Sequence, residues 1–331
     1  MKYLIILLCA LSCLLNKKLG FFICLVFFSI SAYAQTDIDA IMMSKNNFCA
    51  GFMYSHNSWK NYWEGTFKRD NQNLGTVSGQ MIGIMGNYGV KDNLNVLFSI
   101  PYVSTKASEG TLIGQKGIQD LTATIKWMPI EKKWGKGDFS LYTLGSIIIP
   151  TTNYVADYLP LSIGVKTNTA MFRLMADYQV NNIFVTSSAA YYLRDRVTID
   201  RTAYYTTEMH YTNLVEMPTV TNYNIRTGYR SSKLIAEAVL DITKTNGGFD
   251  ITKNNMPFLS NQMNATRAGV NIKYTVSKVD ELSFIGNAMY TIAGRNVGQT
   301  TSISVGIFYV FDFTKKKRSS IEEAEKTKTE L

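Results

Sequence analysis

The chain has 331 residues, 46% of them hydrophobic and only 18% charged, with 20 Tyr, 17 Phe and 6 Pro. That length fits one large β domain or two ordinary ones, and the sequence shows no heptads, helical amphipathic runs or solenoid-period repeats. The formal net charge is +9; Lys2, Lys17 and Lys18 carry three of those charges, and the rest is interleaved with Asp and Glu, unlike the basic stripe of a nucleic-acid binder.

Residues 16–34, NKKLGFFICLVFFSISAYA, have the three parts of a secretory leader. Lys17 and Lys18 form the positive region, Leu19 to Ile30 the apolar region, and Ala32-Tyr33-Ala34 the small-residue cleavage site. The apolar region is too short for a membrane anchor helix. An earlier apolar run, Tyr3 to Leu15, precedes Asn16-Lys17-Lys18, which itself reads as the ordinary start of such a leader. The reading is a cleaved signal peptide over 1–34, with Gln35 opening the exported chain. Three of the four cysteines (Cys9, Cys13, Cys24) fall in this leader. Cys49 alone remains, so neither an internal disulfide nor a Cys/His metal cluster is expected, and no cofactor is implied.

A short periplasmic segment is expected over 35–46. Beyond it the chain reads as strands of mostly 10 to 13 residues at 47–56, 79–90, 94–103, 118–128, 138–150, 167–179, 183–194, 219–230, 233–243, 266–276, 281–292 and 301–313. Such lengths suit tilted strands crossing a bilayer and exceed those usual in a soluble sandwich. Alternation sets the faces. In 94–103, Leu94, Val96, Phe98, Ile100 and Tyr102 share one side, with Asn95 and Ser99 on the other. In 167–179, Phe172, Leu174 and Tyr178 oppose Arg173 and Asp177. In 266–276, Val270, Ile272 and Tyr274 oppose Arg267, Asn271 and Lys273. In 301–313, Ile303, Val305, Ile307, Tyr309 and Phe311 oppose Ser302, Ser304 and Asp312. The 138–150 strand is apolar on both faces, which leaves its register open.

The connections alternate in length. Short ones fall at 91–93, 129–137, 181–182, 231–232 and 277–280; longer ones at 57–78, 104–117, 151–166, 195–218, 244–265 and 293–300. Short periplasmic turns and long external loops are the habit of outer-membrane barrels. Backbone groups that all pair around a closed cylinder also meet the demand of a medium without water. The fold class is therefore all-β: a transmembrane antiparallel up-and-down β-barrel of about 12 strands over 47–313, apolar side to lipid and polar side to a lumen. Trp59, Tyr62, Trp63, Tyr102, Trp127, Tyr142, Tyr178, Tyr191, Tyr290 and Tyr309 lie near strand ends, where interfacial girdles belong. The charged stretch 314–331 is read as a solvated periplasmic tail.

The segment NYGVKDNLNVLFSIPYV (87–103), followed by Gly-Ile-Gln-Asp-Leu (117–121), resembles the outer-membrane family associated with the meta-pathway of phenol degradation. The stretch Tyr54 to Val77 is similar to the form of that family found in Bacteroidota-type bacteria. The family is regarded as one of transporters, similar in broad architecture to channels for long-chain fatty acids and aromatic hydrocarbons. The resemblance implies passage of small molecules, hydrophobic or aromatic ones included, and brings no catalytic residues. Channels of the fatty-acid type carry a substantial N-terminal plug; here only 35–46 precede the first strand, so their gating does not carry over.

Ten side chains are expected to line the lumen: Asp120, Lys126, Arg173, Asp177, Arg226, Glu237, Asp241, Arg267, Asn271 and Lys273. They could form a selecting constriction, or pair with one another to fill a narrow barrel. His56-Asn57-Ser58 invites an enzymatic reading, since outer-membrane phospholipases place a catalytic His two residues before the Ser, with Asn71 or Asn73 here as the orienting group. Trp59 and Lys60 depart from that pattern. The function expected is a passive channel rather than an enzyme; the alternatives are a structural or surface-binding barrel with a closed lumen and a phospholipase-like enzyme. The expected partners are outer-membrane lipid, the barrel-assembly machinery during insertion and a small-molecule solute, without nucleic acid; oligomeric state stays open.

Overall fold

The computed structural model describes residues 36–253 and 255–314; the leader over 1–34 and the tail from 315 onward lie outside the described residues. Twelve long strands form the wall: β1 (Asn47–Trp59), β2 (Val77–Lys91), β3 (Leu94–Ala107), β4 (Leu121–Trp134), β5 (Gly137–Ile149) and β6 (Thr169–Val180), then β7 (Ile183–Arg194), β8 (Thr219–Arg230), β9 (Leu234–Asn246), β10 (Asn264–Thr275), β11 (Leu282–Arg295) and β12 (Thr301–Asp312). Each pairs antiparallel with its neighbours in sequence. Asn47 stands opposite Asp312, so β1 closes on β12 and the sheet has no open edge. No helix among the described residues is long and apolar enough to cross a membrane; the crossing is made by strands.

Burial is inverted relative to a soluble protein. Phe172 is 54% exposed and Ile272 49%, whereas their neighbours in the pleat, Arg173 and Lys273, are 2% and 4% exposed. The same holds on β3, where Val96 and Phe98 are exposed and Asn95 is wholly buried. A period of two, with apolar groups outward, is the pattern a lipid-facing barrel imposes. Trp127, Tyr102, Tyr178, Tyr191, Tyr290 and Tyr309 are all exposed on this exterior. Four girdle expectations fail: Tyr142 is 4% exposed and points inward, Tyr62 and Trp63 belong to a hairpin beyond the wall, Asn61–Glu64 with Phe67–Asp70, and the half-buried Trp59 packs on Leu74, Val77 and Leu161.

Boundaries also change: β1 runs on to Trp59 and β3 to Ala107, past the expected ends at 56 and 103. The stretch 129–137 is not a loop: β4 runs on to Trp134 across a register shift between Trp127 and Ile130, and turns at Gly135-Lys136. Gly135 has φ of 60°, the left-handed region that such a tight turn requires. At its start, the strand expected from 118 breaks at Gln119-Asp120; Lys116–Ile118 pairs separately with Tyr102–Ser104. The open register of 138–150 is settled with Ser140, Tyr142, Leu144 and Ser146 inward.

The long loops build an apolar layer of their own. Tyr154, Ile163, Val197, Ile199, Tyr204, Val215, Met217 and Leu259 are buried together. Leu161, fully buried, joins Leu74 and Val77. Its carbonyl accepts from the Thr105 hydroxyl at 2.6 Å. The Tyr154 hydroxyl donates to Asp120 at 2.6 Å and accepts from the Lys166 backbone N–H at 2.6 Å. Burial pushes the Asp120 carboxyl above its ordinary range, and the Tyr154 bond opposes that shift; burial, then the Asp120 acceptor, pushes Tyr154 up.

A cation placed on the lipid face should be costly. Ile272→Arg is expected to lower unfolding free energy in phospholipid vesicles by roughly 2–4 kcal/mol, measured by denaturant titration. An unchanged midpoint would mean that this face does not meet lipid.

Candidate functional site in the lumen

The inner face of the wall has an occupant. The expectation that 35–46 extends into the periplasm does not hold for its described part: from Thr36 the chain lies against inward side chains. Lys126, fully buried, aims its ammonium at the carbonyls of Asp39 (2.6 Å), Ile41 (2.9 Å) and Thr36 (3.2 Å), and at Asp39 Oδ1 (3.1 Å). An ammonium has three protons, so the longest of these contacts shares a donor. The other Asp39 oxygen accepts from the Thr36 backbone N–H at 2.6 Å, which curls the segment on itself. The Tyr142 hydroxyl donates to the Ala40 carbonyl at 3.0 Å, and Leu144 and Met175 pack on Ala40. Arg173 lies 3.9 Å from Asp37. At the exit, Met43 packs on Cys49, Phe308 and Val310. Gly89 lets the segment turn over β2: a Cβ there would stand 2.1 Å from the Ser44 carbonyl oxygen. This glycine belongs to the Asn-Tyr-Gly-Val stretch singled out in the sequence.

A cavity of about 330 Å³ lies beside this segment. Its lining is two-sided. Met53, Met85, Ile235, Val239, Ile285 and Met289 are apolar; Arg226, Arg230, Glu237, Asp241, Arg267 and Lys273 are charged, and the segment adds Asp37 and Asp39. A second cavity, of about 530 Å³, reaches the side of the short turns at Asp92 and Ser231-Ser232. Ile41 and Arg230 border both and so form part of the partition between them.

Of the ten expected lumen residues, nine lie on the inner face. Asp177 accepts from Thr186 and from Arg230 (2.9 Å). Arg226 donates to Glu237 at 2.5 Å and to Asn224 Oδ1 at 2.9 Å; Asn271 also donates to Glu237, at 2.8 Å. Asp241 accepts from Asn222 at 2.9 Å and Asn224 at 3.1 Å. Arg173 donates to Ser188 at 3.1 Å and Tyr192 at 3.3 Å. The ion pairs that fill this part of the lumen run across strands, Arg230 to Asp177 and Arg226 to Glu237. Arg267 follows a register shift between Thr266 and Arg267, stays exposed within the lumen and makes no ion pair among the described residues. The tenth, Asp120, serves the loop layer through Tyr154 and borders neither lumen cavity.

Sequence reasoning missed Arg230, Tyr142 and the two aspartates of 37–39. One signal was present: a strand apolar on both faces needs something apolar inside, and Tyr142 and Leu144 meet Ala40 there. His56 sits on the outward face opposite Ile303, and no hydrogen bond joins it to Ser58, Asn71 or Asn73 among the described residues. His210, in the long loop between β7 and β8, stacks on Tyr204 with centroids 4.8 Å apart and meets Thr206 at 2.8 Å.

Comparison with known proteins bears on the fold. An outer membrane channel from Pseudomonas putida F1 superposes with a TM-score of 0.64 at 14% identity, covering 84% of this chain and all of that one. The translocator domain of the autotransporter NalP from Neisseria meningitidis gives 0.41 at 13% identity, covering 81% and 88%. The KdgM porin gives 0.37 at 11% identity, covering 79% and 99%. No curated protein matches by sequence. The exterior, the closure and the first of these likenesses describe an outer-membrane β-barrel. A family profile matches residues 70–305, well over half the chain, and the chain therefore belongs to the family described as "Putative MetA-pathway of phenol degradation".

Proposed function

We propose that this barrel is a passive outer-membrane channel for small molecules, including apolar and aromatic ones, inserted by the barrel-assembly machinery and held shut at rest by its N-terminal segment. The observation that carries the reading is the way 36–41 is held. One lysine grips three main-chain carbonyls inside a lumen that otherwise keeps open volume. A segment meant as a permanent filling would bury a continuous apolar surface; here polar bonds dominate, and they exchange for water at small net cost. The external loop layer, with Tyr154 tied to Asp120, is a second restriction on the same path. The channel from Pseudomonas putida F1 supports a role in transport, and the family's description, which names phenol degradation, supports aromatic solutes. Hydrolysis of lipid has no support from His56, which faces outward without a nucleophile partner.

Two measurements test this. In planar bilayers the wild-type chain is expected to show discrete but brief openings, and Lys126→Met several-fold higher mean current, because the segment loses its ammonium anchor. Equal currents would mean that the segment does not restrict the path, and silence from both would favour a closed scaffold. In liposome swelling, entry should fall with solute size more steeply than with solute polarity; entry independent of size would contradict a lumenal route.

A further inference from the structure

We infer that the cavity beside the N-terminal segment is a binding site for a small organic carboxylate with an apolar body, and that Asp37 and Asp39 act there as a built-in competitor. The inference deepens the channel reading and rests on it for the route by which the ligand arrives. Charge gives the first argument. The barrel wall contributes Arg226, Arg230, Arg267 and Lys273 to this cavity but only Glu237 and Asp241 as carboxylates. Asp177 of the wall answers Arg230, and the two further carboxylates at the cavity, Asp37 and Asp39, come from the segment, where they face Arg173 and Lys126. Within the wall, Glu237 is engaged by Arg226 and Asn271, Asp241 by two amides, and Arg230 by Asp177. Arg267 has no carboxylate partner among the described residues, although it faces the cavity. An accessible guanidinium without a carboxylate of its own is free to take one up, so the wall holds a standing preference for an anion.

Shape and chemistry give the second argument. Asp39 binds Lys126, and Asp37 sits by Arg173, whose buried Nε–H has no acceptor among the described residues. When the segment leaves, Lys126 and Arg173 join the cationic side as well. Beside these cations stand Met53, Met85, Ile285 and Met289, with Ile285 next to Lys273 in the register, side chains that adapt to a flat or short apolar body. A single carboxylate on an apolar body matches both halves; an inorganic anion matches one, and a neutral aromatic matches the other. Such a ligand takes over the positions of Asp37 and Asp39, so its binding and the release of the segment are linked, each favouring the other.

Benzoate, its neutral amide benzamide and acetate separate these possibilities. Calorimetric titration of the folded full-length chain in detergent should show benzoate binding at least about tenfold tighter than either benzamide or acetate. Asp37→Asn/Asp39→Asn should tighten benzoate about tenfold by removing the competitor, and Arg267→Gln should weaken it by a similar factor. Equal binding of benzoate and benzamide by the wild-type chain, which needs no variant to fold, would overturn the inference; so would benzoate affinity indifferent to the two Asp→Asn changes. Bilayer currents distinguish this from failure of the channel reading. Benzoate binding in a barrel that never conducts supports the site and sinks the channel; open pores whose chain binds no benzoate sink the site alone.

Discussion

Hydrocarbon offers no hydrogen bond, and this constraint shapes the whole wall. Each strand must give all of its backbone donors and acceptors to two neighbours, which a sheet achieves only by closing on itself. The Asn47–Asp312 pairing completes the ring. Closure then fixes two faces for every strand, and lipid claims one of them. Polar groups such as Asn95, Lys126 and Arg173 are left only the inside. The charges of the lumen are thus a consequence of the exterior as much as a device for transport.

Once inside, those charges must be satisfied. Arg226 and Glu237 meet across neighbouring strands, as do the amides around Asp241. Arg230 lies on the Phe184 ring at 3.8 Å while holding Asp177, one strand further round. Such pairs roughly balance their own desolvation and add little net stability, but they fix side-chain positions. Lys126 is different. Its acceptors come chiefly from the main chain of the N-terminal segment, so a buried ammonium and a stretch of backbone satisfy each other. Each partner can turn to water when the other leaves, so the grip fixes where the segment sits without locking it there.

The wall was legible in the sequence because its rule is local. Period-two alternation names the outward residues one by one, and Ile303, Val305 and Ile307 lie where alternation puts them. What alternation could not supply was partnership. Arg226 and Glu237 are eleven residues apart and meet only through the register of one hairpin. The bulge near Trp127 hid the end of one strand, since a register shift looks like a loop when Pro129 falls inside it. The occupant of the lumen was hidden for another reason. Twelve residues before a first strand look like a spacer, and only the inward Tyr142 and Leu144, apolar where polar groups were due, hinted that something packs there.

The most direct test of this account asks whether Asp39 and Lys126 touch in the native membrane. A carbodiimide, applied to isolated outer membranes, joins a carboxylate to an amine only when the two are in contact, and mass spectrometry reads the product. The account predicts an amide-linked peptide pair containing Asp39 and Lys126. Recovery of both residues singly modified, with no such pair, would contradict it.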